Sequence, residues 1–267
     1  MRFSRKHKFV LISNWRCGCS TVADLFAPYS EFDYKHSSKC QDLLGIPYGK
    51  VVHWPAKRVR ALFKKNGLNW DKYIKITTIR NPWARIVSLF HYKFGRKNGV
   101  KNAKKRFTEF VINELPRWQK GIRNRWKSYE MIHDQRGRKI VDYVVRIEKL
   151  EKDLKPIIEK HFPHFQIDYG TRRNTTNHDH YSYYYNSRTK KIVADMFAWD
   201  IKKYKYKFEK PPQPIQEEIQ KEIPIYPNSS SEEPKINNET STQNSSSKKH
   251  GGPADGTTYF ASTVLTS

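Results

Sequence analysis

The sequence predicts an α/β domain over residues 1–208, built on a mostly parallel sheet, followed by a disordered tail over residues 209–267. Three observations point that way. Short apolar or β-branched runs alternate with segments of helical periodicity, the pattern of βαβ units. Composition then breaks near Lys210: from Pro211 onward come seven of the fourteen prolines, a Ser/Asn/Thr-rich run from Asn228 to Ser247, and no tryptophan. Such a segment buries too little apolar surface to offset the entropy of ordering it. Finally, a chain of 267 residues is long enough for one domain with a sizeable core.

The elements follow in order. Phe9-Val10-Leu11-Ile12 is an apolar run between charge and Ser13-Asn14, a buried strand. Thr21 to Phe26 has helical spacing and stops near Pro28. Val51-Val52-His53 reads as the end of a second strand. Pro55 suits the first turn of a helix through Val59, Leu62 and Phe63, with Gly67 as its stop. Tyr73 to Ile79 is β-branched and strand-like. Asn81 and Pro82 then read as N-cap and first residue of a helix carrying Ile86, Leu89, Phe90 and Lys93. Thr108 is expected to cap a helix through Phe110, Val111 and Leu115. Asp142 to Glu148 reads as a strand, and Leu150 to Phe162 as a helix made irregular by Pro156. Ser187 is expected to cap a last long helix through Ile192, Val193, Met196, Phe197 and Ile201. No internal repeat is visible.

Composition excludes several classes. No apolar stretch approaches the roughly 18 residues of a membrane span, and the apolar segment of the N-terminus is too short for a signal-peptide core. Three cysteines cannot build a disulfide framework. The formal charge is +25, and the tail holds eight acidic against five basic residues, so residues 1–208 carry +28. The positive charge therefore belongs to the folded part.

Strand 9–12 runs into Ser13-Asn14-Trp15-Arg16-Cys17-Gly18-Cys19-Ser20-Thr21 and a helix. Small residues at such a turn direct backbone N–H groups at one point, which favours an anion, and Arg16, Ser20 and Thr21 add donors. An ordinary tight turn has the same look. The G-x-x-x-x-G-K-[ST] spacing of nucleoside triphosphatases is absent, as is its lysine. Cys17 and Cys19 suggest a metal only if a second pair follows, and none does, so no metal is expected. The second strand-to-helix junction reads Arg80-Asn81-Pro82-Trp83-Ala84-Arg85-Ile86-Val87-Ser88. Arg80 stands at a strand end, where α/β sheets place ligands, and Ser88 lies two helical turns on. A capping surface charge and a solvent-facing hydroxyl are the plainer readings.

Together these two segments resemble the PAPS-dependent sulfotransferases, in particular the carbohydrate sulfotransferase branch and its microbial relatives. That family's first loop reads roughly P-K-x-G-x-[ST]-[ST], and its later motif R-[DN]-P-x-x-R-x-x-S. Here the first is Trp15-Arg16-Cys17-Gly18-Cys19-Ser20-Thr21, and the second is matched in full by Arg80, Asn81, Pro82, Arg85 and Ser88. HWPAKRV, VVRIEKLEKDL and YYYNSRTKKIVADMFAWDIKKYKYKF extend the resemblance over about residues 8–208. Arg16 stands where the family usually has Lys, and Trp15 where it has Pro. Arginine keeps the positive charge but offers a planar fork and does not change protonation state.

The resemblance implies a P-loop-like three-layer fold and PAPS (3′-phosphoadenosine 5′-phosphosulfate) as co-substrate, with no metal. Arg16, Cys17, Gly18, Cys19, Ser20 and Thr21 would hold the 5′-phosphosulfate, and Arg80 and Ser88 the 3′-phosphate. Sulfuryl transfer needs in-line geometry, charge stabilisation and a base, which cations and backbone dipoles largely supply. Arg16 and His53 are the implied catalytic residues, His53 standing where the carbohydrate branch carries its catalytic histidine. A neutral imidazole suits proton removal from a sugar hydroxyl, although a lone histidine is more often structural. His178-Asp179-His180 reads as a metal pair or a solvated loop, and Tyr183, Tyr184 and Tyr185 as packing residues or, for one of them, a nucleotide contact.

The basic stretches Lys101 to Arg106 and Arg117 to Arg138, interleaved with Trp118 and Trp126, read as a groove for an anionic polysaccharide acceptor or, for individual lysines, as a plain solvated surface. A nucleic-acid stripe is the other reading, and a non-catalytic polyanion-binding protein the alternative function, but no nucleic-acid module is recognisable. Family members of the Golgi carry an N-terminal membrane anchor. None is visible here, so the expected location is the cytoplasm.

Overall fold

The computed structural model describes residues 1–31, 45, 52–95, 100–117, 127–170 and 178–211. β1 (Arg2–Ser4) and β2 (Phe9–Ile12) form an antiparallel pair around a turn at Arg5–Lys8. β3 (Ile74–Ile79) lies parallel to β2 and β4 (Tyr143–Arg146) parallel to β3, in the spatial order β1-β2-β3-β4. Phe9 pairs with Ile74 and Ile12 with Thr77, and Ile79 pairs with Arg146, so β2, β3 and β4 all end on one edge. Among the described residues the helices are α1 (Cys19–Leu25), α2 (Ala56–Lys65), α3 (Pro82–Phe94), α4 (Ala103–Glu109), α5 (Ser128–Ile132), α6 (Leu150–His161), α7 (Ser187–Met196) and α8 (Ala198–Tyr204).

Alternation along β2 divides the core. Phe9 and Leu11 face one side with Ile76 and Val145, covered by Val22 and Leu25 of α1 and by Leu150, Leu154, Ile157 and Ile158 of α6. Val10 and Ile12 face the other with Met1 and Phe3, under Val59, Leu62 and Phe63 of α2 and Met131 and Ile132 of α5. Both faces are thus covered, as parallel strands require, and the fold is α/β in three layers. A third cluster joins α3, α4 and α7 through Phe90, Phe107, Tyr184 and Val193. Arg146 clamps β4 to α6 through paired bonds to Asp153 at 2.7 and 2.8 Å. Among the described residues no helix is long and apolar enough to cross a membrane.

Several expectations need correction. Val51 lies outside the described residues, and Val52 and His53 form a turn rather than a strand end. The short hairpin strand β1 was not expected. Thr108 sits inside α4 and returns its hydroxyl to the Lys104 carbonyl (3.0 Å), while Asn102 occupies the cap position and Phe110–Glu114 widens into a π-helical turn. The strand expected through Glu148 ends at Arg146, followed by a 3₁₀ turn. Asn186, not Ser187, caps α7 in a reciprocal box with Thr189, and the last helix breaks at Phe197. Trp118, Trp126 and the tail beyond Pro211 lie outside the described residues.

Candidate functional site

The Asn81 side chain accepts from the N–H groups of Trp83 (3.1 Å) and Ala84 (3.4 Å), and Pro82 occupies the first helical position, where a missing N–H costs nothing. That cap sets the phase of α3. Arg85 and Ser88, three residues apart, share a face and meet the loop between β2 and α1. Arg85, only 1 % exposed, donates from Nε to the Trp15 carbonyl (2.9 Å) and from Nη2 to Asn14 Oδ1 (2.9 Å). Asn14 in turn donates from Nδ2 to Ser128 Oγ at 3.3 Å. Ser88 Oγ accepts from both Nε (3.2 Å) and Nη2 (2.6 Å) of Arg16, whose guanidinium lies 4.6 Å from the Tyr92 ring centroid.

The loop itself is tight. The Cys17 N–H donates to the Asn14 carbonyl (3.2 Å), and Arg16 and Gly18 both adopt the left-handed region, at φ +57° and +71°. A side chain at Gly18 would be strained by its positive φ, and its Cβ would fall 2.3 Å from Ile147 Cδ1, which would have to move. The first intrahelical bond of α1 runs from Val22 N–H to Gly18, so the N–H groups of Cys19, Ser20 and Thr21 lie ahead of it. Ser20 is half-buried, whereas Thr21 is only 3 % exposed. Burial pushes the Cys17 thiol up to about 12 and raises that of Cys19, so neither is a thiolate nucleophile at neutral pH.

Arg80 stands at the end of β3, half-buried beside Cys17, Glu148, Arg85 and Tyr206. Burial lowers its pKa, but an arginine stays charged at neutral pH. Among the described residues no hydrogen bond or ion pair reaches its guanidinium. The nearby Glu148 carboxylate instead accepts from the Asn81 N–H (2.6 Å) and, at 3.5 Å, from the Tyr206 hydroxyl. A half-buried cation whose nearest carboxylate is hydrogen-bonded elsewhere keeps donors to offer an anion.

His53 follows its turn back to the same loop. Its Nδ1 lies 3.1 Å from the Ser13 carbonyl oxygen, and its ring centroid 6.1 Å from that of Trp15. A carbonyl only accepts, so the bond places the proton on Nδ1 and makes Nε2 the basic nitrogen of the neutral ring.

The structure therefore brings Arg16 onto Ser88, ties Arg85 and His53 to the same loop, and sets Arg80 beside Cys17. Three features of the site were missed in the sequence. Arg85 is a buried clamp on the loop. Tyr92 lies one turn past Ser88, a spacing that would have shown it. His178 feels the charges of both Arg80 and Arg16 and stacks on His91, their centroids 4.9 Å apart. Nothing in the sequence ties residue 178 to residues 16 and 80. Burial lowers the pKa of His178 and carries His91 down to about 4. His180 caps a 3₁₀ turn at Tyr181–Tyr184, Tyr184 and Tyr185 pack inward, and Tyr183 is exposed. Among the described residues, no group of three or more His, Cys, Asp or Glu side chains could hold a metal ion.

Comparison with known proteins adds one finding. The family model described as "Sulfotransferase family" matches residues 1–207. No curated protein and no solved structure matches the chain.

Proposed function

The chain belongs to the sulfotransferase family, and from that membership we propose that it moves a sulfuryl group from PAPS to a hydroxyl of a carbohydrate. The observation that carries the donor assignment is Arg80: a half-buried guanidinium that no side chain of the described residues bonds, beside Arg85 and across the loop from Arg16. These cations and the Ser88 hydroxyl fit a nucleotide carrying anionic groups at both ends. PAPS supplies the sulfuryl group together with an adenylate leaving group.

The chain's own residues then divide the work. Ser88 Oγ accepts from Arg16, so its own proton remains available for an anion, and Arg80 adds a second cation for the 3′-phosphate. Arg16 and the N–H groups of Cys19, Ser20 and Thr21 offer donors to the phosphosulfate. As negative charge builds on the leaving oxygen, a fixed guanidinium stabilises it without reorganising. Arg85 keeps the loop in that shape. His53, with Nε2 as its basic nitrogen, takes the acceptor proton.

Incubation with radiolabelled PAPS and a panel of hydroxyl acceptors, carbohydrates included, tests this reading. Label is expected on a carbohydrate, and His53→Gln is expected to lower kcat by about 10²–10⁴-fold while donor binding is retained. No transfer to any acceptor, or an unchanged rate in the variant, would overturn it.

A further inference from the structure

Beside the 3₁₀ turn at Tyr181–Tyr184 lies a cleft of about 540 Å³, lined among the described residues by Asn102, Ala103, Lys104, Lys105, Asp179, Tyr183 and Tyr184. Tyr183 is 48 % exposed, and among the described residues it is the exposed large hydrophobic side chain. Its neighbours Tyr181 and Tyr184 are buried. Lys104 Nζ sits 6.0 Å from the Tyr183 ring centroid, and Lys105 also lines the cleft. The exposed Asp179 lines it as well.

We infer that this cleft is the acceptor-binding subsite, and that it takes a sugar residue bearing a carboxylate or sulfate. The inference rests on the sulfotransferase reading above. A flat exposed ring offers a platform for the apolar face of a pyranose, burying surface at little conformational cost. The ammonium groups of Lys104 and Lys105 meet an anionic substituent. The Asp179 carboxylate and the Asn102 amide accept and donate to sugar hydroxyls. A cleft for a nucleic-acid strand would pair its aromatic ring with cations alone, because a carboxylate inside it repels a phosphate chain. Mixed charge around an aromatic platform suits a ligand that carries both hydroxyls and isolated anions.

Two observations link the cleft lining to the donor residues. Asp179 follows His178, which lies within electrostatic reach of Arg16 and Arg80. The Tyr184 ring meets His91 of α3 edge-on at 5.1 Å, so the cleft floor packs on the helix that carries Ser88.

The test titrates the full chain with a sulfated chondroitin hexasaccharide, with maltohexaose and oligothymidylate as controls and 3′-phosphoadenosine 5′-phosphate (PAP) as a separate probe of the donor site. The hexasaccharide is expected to bind more tightly than either control. Tyr183→Ala and the pair Lys104→Ala/Lys105→Ala are each expected to weaken it about tenfold or more, leaving PAP affinity unchanged. Unchanged PAP affinity also shows that the variants fold. Three results would overturn the inference: the hexasaccharide fails to bind while PAP binds; both variants bind it as tightly as the unaltered protein; or oligothymidylate binds as tightly and gains on Asp179→Asn. Hexasaccharide binding that depends on Tyr183, without any PAP binding, would keep the saccharide cleft and remove the donor reading instead.

Discussion

Arg85 is 1 % exposed and donates to the Trp15 carbonyl and the Asn14 side chain, so removing its guanidinium leaves two acceptors unpaired in the interior. Arg85→Met keeps most of the volume and none of the bonds. It is expected to cost about 3 kcal/mol and to lower Tm by about 10 °C, read by thermal unfolding; a Tm unchanged within error would contradict the clamp. Gly18→Ala meets both a positive φ and the Ile147 side chain, and is expected to cost about 3 kcal/mol as well. Urea unfolding measures it, and a midpoint equal to that of the unaltered protein would contradict the close approach. In the sequence, the strand end singles out Arg80, its spacing from Arg80 singles out Ser88, and the family motif includes Arg85. The clamp role of Arg85 stayed hidden, because its partners lie 70 and 71 positions away and a carbonyl acceptor leaves no mark in sequence. His178 is hidden for the same reason.

At the scale of elements, local chemistry explains what was legible. The Phe9–Ile12 strand and the Asn81-Pro82 helix start are set by short-range patterns and stand as read. The errors arose where tertiary packing or a neighbouring cap competed. Asn186 outcompetes Ser187 because Thr189 returns its hydroxyl to the Asn186 N–H at 3.0 Å. Thr108 instead bonds backward within α4, a local alternative open to any helical threonine. Helix α3 also carries a pH dependence. Burial against His178 takes His91 from its ordinary 6.5 to about 4, and among the described residues no hydrogen-bond partner reaches its Nε2. Between those values the unfolded chain binds a proton that the folded one refuses, so stability is lost as pH falls from about 6.5 toward 4. Tm measured over that range is expected to decline, and to decline less steeply in His91→Phe. Equal slopes for the two proteins would contradict it.

For the whole molecule, the parallel strands β2 and β3 deliver two loops to one edge of a sheet covered on both faces. The three-layer arrangement follows from the alternation of Phe9 and Leu11 against Val10 and Ile12. The one-edge convergence does not, since strand order is set by pairings between residues more than sixty positions apart. That edge carries the loop whose Arg16 bonds Ser88 and the strand end that bears Arg80, and a site for both ends of the donor is the central claim. Calorimetric titration with PAP, with 5′-AMP and ATP as controls, tests it most directly. The account predicts binding that requires the 3′-phosphate and weakens about 10–100-fold in Arg80→Ala, the range for a hydrogen bond to a charged group. Binding of PAP no tighter than 5′-AMP, or unchanged by Arg80→Ala, would contradict it and leave a basic surface that binds polyanions by charge alone.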